Sequence, residues 1–557
     1  MEAAGLALAV FAIIKPTAHA ISTVISSTKN FGPDASNLHS RFSLQTLRLN
    51  SYERFLFEPN KFPLVKGMLF EQLPEDVRET FLGLLRALYE VLEAWVVVQR
   101  KYGLDGTGVK EGVEGDGLMN ALEGLSVDES RGEIVKAGKA SDSKFSKGTL
   151  WTRKATWVMN DKRSAEKLVT EFEAWTDRVK SLVDLACWPL PFFATVSQME
   201  RLEEDKDAAK IGMLDGIGMR KLLAPGSERM STEKAKLLKV SSLDFKSKST
   251  FQDLDVGELE GKGAVIVEYK SYEQDRTGSM SDIVSRRILQ LVALLHEDKE
   301  SKFRVLKCIN FFDDVPGRRI GFAFLLPTPT SPMLPSSLDT FLSRKLKPSL
   351  GTRMKLAYAL AESLAHLHSV GWVHKSLRSE NIIFLPSTET PTSSSTESPE
   401  VSILEHPHVF GFEYSRMDSD FSSGRPDYDI KRNIYRHPQR WGQPSQTFSK
   451  IHDIYALGTI LLEIGLWESL TQLNSGTLLS PASNSTTLET AEATQSRLMK
   501  HAKRRLAFYT GERYQAVVVK CLQGEFGVEF DDKMGSNLGK AFKAGVVDVL
   551  SELENGL

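Results

Sequence analysis

Lys270 ends the run Gly263-Ala-Val-Ile-Val-Glu-Tyr-Lys270, where an ammonium group could touch a nucleotide phosphate. Further along, Trp372-Val-His374-Lys375-Ser376-Leu-Arg378-Ser-Glu-Asn381 forms a second polar constellation, and Val409-Phe410-Gly411 forms a third. Phosphoryl transfer rests on positioning and on neutralising charge around the γ-phosphate, with a carboxylate to take the attacking hydroxyl's proton. Magnesium, which bridges the phosphates, requires oxygen ligands. Ser376 offers a neutral hydroxyl with no useful basicity at neutral pH, and Val409 cannot ligate a metal. Each remaining polar group also has a plainer reading. Lys270 fits a solvated strand lysine, Asn381 a side chain that fixes its own loop, and His374 a support for the loop backbone.

The elements that must carry these residues follow from periodicity. Gly263–Lys270 reads as a strand, and a helix follows with Ile283, Ile288, Leu291, Leu294 and Leu295. Two strands come next, Arg304–Phe312 and Arg319–Leu326, then a long helix over Gly351–Ser369. Within this order Trp372–Asn381 resembles the protein-kinase catalytic loop, H-R-D-L-x-x-x-N. Asp453-Ile-Tyr-Ala-Leu-Gly458 is similar to the kinase D-x-W/Y-x-x-G helix, and Tyr435-Arg436-His437-Pro438 stands in the place of A-P-E. Lys520-Cys521-Leu522 falls where many kinases carry a similar triplet before their last helices.

The resemblance implies a bilobal α+β protein-kinase fold over 235–557. It puts Ser376 at the catalytic base and Val409 at the metal-holding aspartate. Lys270 and Asn381 are the residual nucleotide-binding positions. The glycines before Lys270 (Gly257, Gly261 and Gly263) do not form G-x-G-x-x-G, and no Glu or Asp lies between Ile283 and His296 to pair with a strand lysine. The expectation is a pseudokinase with no catalytic residue, no metal and no required cofactor, although ATP binding without catalysis stays open. Ser/Thr-rich stretches at 386–400 and 474–494 read as surface insertions.

The N-terminal part shows no strand-like alternation before about residue 240. Ala3 to Ile14 reads AAGLALAVFAII, an unbroken apolar run closed by Lys15-Pro16. Twelve residues are too few for a span, which needs roughly 20, and the flanks do not suit a secretory signal. Helical stripes follow: Leu38, Phe42, Leu49, Tyr52 and Leu56; then Phe81, Leu84, Leu85, Leu88, Leu92, Trp95 and Val96 between Pro74 and Tyr102; then Leu168, Phe172, Trp175, Val179, Leu182 and Val183 between Arg163 and Cys187. The glycine-rich stretch 103–148 reads as a flexible insertion. Such stripes are core positions first, and together they make an antiparallel all-α bundle. This pattern, with the basic-aromatic entry WTRKATWVMNDKRSAEKLVTEFEAW from Trp151 to Trp175, resembles the HeLo domain (prion-inhibition and propagation) of fungal cell-death and heterokaryon-incompatibility proteins over about 1–225. The resemblance implies that Ala3 to Ile14 contacts membrane lipid when the bundle is disrupted or oligomerised.

Composition bounds the rest. The chain has 557 residues, 41% hydrophobic and 25% charged, which suits a multidomain globular protein. A net charge of -2 makes no global case for nucleic acid or an anionic membrane, so any membrane contact must be local. Three separated cysteines, Cys187, Cys308 and Cys521, have no metal-ligand spacing and suit a reducing, cytoplasmic compartment. Three functions fit. The first is a membrane-active cell-death or incompatibility effector, restrained by the pseudokinase, recruited to the plasma membrane and oligomerising on activation. The second is a non-catalytic adaptor that binds a protein partner through the kinase-like domain. The third is an atypical Ser/Thr kinase.

Overall fold

The computed structural model describes residues 2–28, 33–101, 162–272 (except 215 and 225), 280–326, 335–385 (except 345 and 346), 403–412, 416–417, 429–473 (except 443) and 490–556 (except 530 and 532–534). The stretches expected as insertions, 103–148, 386–400 and most of 474–494, lie outside them, as does the basic-aromatic entry before Lys162. The chain divides into two compact units, Met1–Val183 and Asp184–Leu557. That division comes earlier than the boundary near 225 expected from sequence. Of the short helices between 191 and 236, the last two contribute to the second unit's core, where Met219, Leu222 and Ala235 join Ile288 and Leu291.

The first unit has no strand among its described residues. Its long helices are α1 (Glu2–Thr28), α2 (Pro33–Phe57), α3 (Glu75–Lys101) and α4 (Lys162–Cys187), the division falling in the last turn of α4. α1 corrects the sequence expectation, because it does not stop at Lys15-Pro16 but continues through Pro16 to Thr28. Proline lacks an amide hydrogen, so its cost inside a helix is the orphaned carbonyl four residues back. Here that residue is Ala12, which is exposed like Pro16, so water can reach that face of the helix. The apolar stretch therefore runs over Ala3–Thr23, 21 residues with mean hydropathy 1.6 and 39% buried, long and apolar enough to cross a membrane by length and composition.

One face of α1 is core. Ala4, Ala7, Phe11, Ile14, Ala18, Ile21 and Ile25 are buried at helical spacing. Phe11 sits in an aromatic cluster, its ring centroid 5.7 Å from Phe57 and 6.4 Å from Phe81, while Phe70 bridges those two at 4.6 and 5.5 Å. The only formal charge between Ala3 and Thr28 is Lys15, and its Nζ meets Glu53 Oε2 of α2 at 2.6 Å. The α2–α4 contact is held by Phe42 against Phe172 at 5.3 Å and by the two-bond pairing of Arg41 with Glu173, at 2.9 and 2.5 Å.

The second unit begins with those short helices and then forms a five-stranded antiparallel sheet of order β1-β2-β3-β5-β4: β1 (Phe245–Phe251), β2 (Leu254–Leu259), β3 (Gly263–Ser271), β4 (Cys308–Asp314) and β5 (Arg319–Leu325). α5 (Asp282–His296) connects β3 to β4. β4 starts later than the expected Arg304, because Arg304 closes a 3-10 turn with φ 53°. Alternation on β3 sends Val265 and Val267 to one cluster with Phe312 and Ala323, and Ile266 to the main core. Glu268 and Lys270 therefore share the face of Ile266.

Beyond the sheet the unit is mostly helical, built around α6 (Leu350–Ser369) and α7 (Lys450–Leu466). Every residue of α7 from His452 to Leu466 is buried, as expected of a helix surrounded by protein on all sides. Short strands carry the loops between: β6 (Ser336–Ser337), β7 (Trp372–Val373), β8 (Ile382–Phe384), β9 (His408–Val409) and β10 (Arg416–Met417), paired β6-β8-β9 and β7-β10.

Removing the Phe11 ring leaves a cavity in the aromatic cluster, and Phe→Ala changes in cores cost about 3–5 kcal/mol. Phe11→Ala is expected to loosen α1 before the rest of the bundle. The check is hydrogen exchange, which should accelerate first over residues 2–28.

Candidate functional site

The loop from Trp372 to Phe384 is shaped by one buried carboxylate. Asp453, near the start of α7 and 1% exposed, accepts the backbone N–H of His374 at 2.7 Å and of Lys375 at 2.8 Å. Its Oδ2 also lies 3.2 Å from His368 Nε2. Burial alone would raise the Asp453 pKa, but the His368 hydrogen bond and the charges and N–H groups around it outweigh burial and hold it below the ordinary value. Lys375 takes a left-handed conformation, φ 70°, which a non-glycine residue adopts at a cost. The Asp453–Lys375 bond offsets that cost.

From this anchor the remaining candidate residues fall into place. The His374 ring is buried against Phe412, centroids 4.9 Å apart, and receives the Ser376 N–H on Nδ1 at 3.3 Å. Burial pushes the His374 imidazole down to about 4, so it stays neutral in the fold. Asn381 donates through Nδ2 to the Ser376 carbonyl at 2.7 Å and to the Ser376 hydroxyl at 3.2 Å. Its own carbonyl accepts the Phe410 N–H at 2.9 Å, and β8 pairs Ile382 with Val409. Ser376, Asn381 and Val409-Phe410-Gly411 are thus brought together, with Val409 buried at 2% exposure.

Gly411 has φ 88°, and a Cβ there would stand 2.0 Å from Asn381 Nδ2, so both conformation and space require glycine. Its N–H donates to Glu268 Oε2 at 3.0 Å. Glu268 lies on β3, is 5% exposed, and is the strand residue the structure brings to this loop. Lys270 is two residues further on, opposite Ile320, and half-buried. Sequence reasoning selected the lysine and passed over the glutamate. The available signal was an acidic residue inside the apolar run Val265-Ile-Val-Glu268, since buried carboxylates are rare unless engaged. Phe410 completes the link by packing on Phe324 of β5, 5.2 Å between centroids.

A second buried carboxylate lies at the other end of α7. Glu463 is fully buried and accepts the Tyr435 hydroxyl at 2.8 Å and the Leu470 N–H at 2.7 Å, while the Tyr435 and Ser379 hydroxyls lie 2.6 Å apart. Burial pushes the Glu463 carboxyl up to about 8, with Leu470 and Tyr435 pulling the other way. Among the described residues no cluster of His, Cys, Asp and Glu suits a metal ion. All three cysteines are free and buried, and burial raises their thiol pKa values.

The comparisons with known proteins divide the chain in two. The HeLo family, described as prion-inhibition and propagation, matches residues 4–212, so a HeLo domain is present there. A domain of unknown function (DUF7580) matches residues 327–548, covering the 372–384 loop, Val409–Gly411 and α7. No curated protein matches the chain. The HeLo match suggests a role of the fungal prion-inhibition and heterokaryon-incompatibility type.

A carboxyl whose pKa is raised on folding contributes stability that is fully present below its unfolded value, near 4.5, and is lost as pH rises through about 8. Buried His374 and His452, both pushed down to about 4, act in the opposite window, losing stability as pH falls from 6.5 toward 4. Glu463→Gln, which imitates the protonated acid, is therefore expected to gain on the wild type as pH rises from 5 to 8, by on the order of 4 kcal/mol. Denaturant unfolding at several pH values checks this; parallel curves for the two proteins would refute it.

Proposed function

We propose that this chain is a membrane-active effector of the cell-death or heterokaryon-incompatibility type, in which a catalytically degenerate kinase-like unit regulates the HeLo bundle. The observation that carries the membrane part is α1: an apolar stretch of 21 residues with one formal charge, inside a segment that matches the HeLo family. Packed in the bundle, α1 hides Phe11 and neutralises Lys15 against Glu53. Freed from the bundle, it is long enough to enter a bilayer.

The kinase-like reading of the second unit rests on its order of elements and on Asp453. Five antiparallel strands with one helix after the third precede a helical part, as in a kinase small lobe and large lobe. The Asp453 carboxylate grips the backbone of the loop that resembles the catalytic loop. At the two positions where phosphate transfer requires carboxylates stand Ser376 and Val409. The Asn381 amide is engaged with Ser376, and a carboxylate, Glu268, occupies the strand position nearest Gly411. An acidic group there disfavours phosphate, so this unit acts by binding a protein partner rather than by catalysis. The residues present do not fit a nucleotide cofactor.

Two outcomes test the reading. Adding ATP and Mg²⁺ should leave the thermal unfolding of the full chain unshifted and yield no phosphate transfer, since a ligand bound to the folded state raises apparent stability. For the membrane part, Ala12 is exposed in the bundle, so Ala12→Glu leaves the resting fold intact while placing a charge on α1. A charge at the centre of a spanning helix costs about 3 kcal/mol. Phe11→Ala should increase dye release from vesicles, and adding Ala12→Glu should cut that release about a hundredfold. If neither the wild type nor Phe11→Ala releases dye, the effector reading fails and the adaptor reading replaces it.

A further inference from the structure

The helix Ala491–His501 continues through a π turn, Ala502–Leu506, into Ala507–Thr510. Between Glu492 and Glu512 every formal charge is positive: Arg497, Lys500, Lys503, Arg504 and Arg505. The two sides of this helix differ. Leu498, Ala502 and Leu506 are buried, and Arg505 is committed to Glu468 through two bonds of 2.9 and 2.5 Å. On the other side Lys500, Lys503, Arg504 and Phe508 are exposed, Phe508 by 87%.

Lys500, Arg504 and Phe508 stand four residues apart, close to one turn of either an α-helix or the π turn between them, so they lie on one side of the helix with Lys503 beside them. Tyr509 is held at the edge, its ring 5.1 Å from Phe508 and beneath Lys347 Nζ at 4.6 Å, while Lys347 also donates to the Leu466 carbonyl. Among the described residues the nearest acids along this helix are Glu492, two turns before Lys500, and Glu512, one turn after Phe508. Glu468 is taken by Arg505, and Glu552 by Arg513.

A phenylalanine ring left in water forgoes the gain of burial. Three exposed cations beside it define what would cover it: a phase with anionic charge at its surface and an apolar layer just beneath. We propose that this face of Ala491–Thr510 docks the second unit on anionic phospholipid, Lys500, Lys503 and Arg504 meeting headgroup phosphates and Phe508 entering the interface. The convex helix face suits a bilayer surface better than an acidic peptide, which would need a groove for its side chains. The chain's net charge of -2 makes this a local attraction, sensitive to salt. The contact does not depend on α1 entering the bilayer.

The test is co-sedimentation of the full-length chain with vesicles of phosphatidylcholine alone and with added phosphatidylserine. The wild type should partition onto the anionic vesicles only. Each basic residue near such a surface contributes about 1 kcal/mol, so the combined K500E, K503E and R504E variant should bind at least about a hundredfold more weakly. Phe508→Ser should lose about tenfold and keep its salt dependence. All four positions are exposed, so the variants should unfold like the wild type. Undiminished binding of the triple variant to anionic vesicles, or equal binding of the wild type to neutral ones, overturns the inference. So does loss of binding in Ala12→Glu with retention in the triple variant, which would assign the contact to α1. Retention on immobilised polyglutamate without partition onto any vesicle would also overturn it, in favour of an acidic protein partner.

Discussion

Asp453 is a charge placed where water cannot reach it, and much of the second unit is arranged to make that tolerable. A carboxylate removed from water is strongly destabilising unless hydrogen bonds replace its hydration. Here two backbone N–H groups and His368 supply them. Meeting that demand bends the loop through Lys375 in a left-handed conformation and sets Ser376 against Asn381. Asn381 then receives Phe410, and Gly411 reaches Glu268 on β3. One buried charge is thus continuous, through side-chain and backbone hydrogen bonds, with the link between the sheet and the helical part.

The same chain of bonds shows what the loop asks of each residue in it. Ser376 and Val409 take part in this arrangement largely through their backbones. Ser376 contributes its carbonyl and N–H as much as its hydroxyl, and Val409 contributes strand pairing and apolar burial. Structural demands on this loop fall on Asp453, His374, Asn381 and Gly411.

The first unit presents a different constraint. α1 is apolar on the face that packs and nearly uncharged on the face that does not, so the bundle holds a helix that water does not favour on either side. Phe11 within the aromatic cluster and Lys15 on Glu53 secure it. Both contacts are noncovalent, and neither uses Arg41 or Glu173, which pair α2 with α4.

Periodicity was enough to read α2 to α4, β3, β5, α5 and α6 from the sequence, because each buries one face against a core and the apolar spacing records it. Motif spacing likewise singled out Ser376, Asn381 and Val409, which the fold does bring together. β1 and β2 escaped, since Phe245–Phe251 is an edge strand of alternating serine and lysine whose outer side faces water and leaves little apolar pattern. The helix beyond Pro16 escaped because proline's cost depends on whether the orphaned carbonyl is buried or wet, which local sequence does not record. Glu268 escaped for a related reason: its importance lies in Gly411, 143 residues away along the chain. What the residues determined alone was the local period, the spacing of the candidate residues and the apolar character of α1. Only the tertiary structure decided which strand residue reaches the loop, where one unit ends and the next begins, and how far α1 runs. Those outcomes depend on which distant groups share a buried volume and which stay open to water.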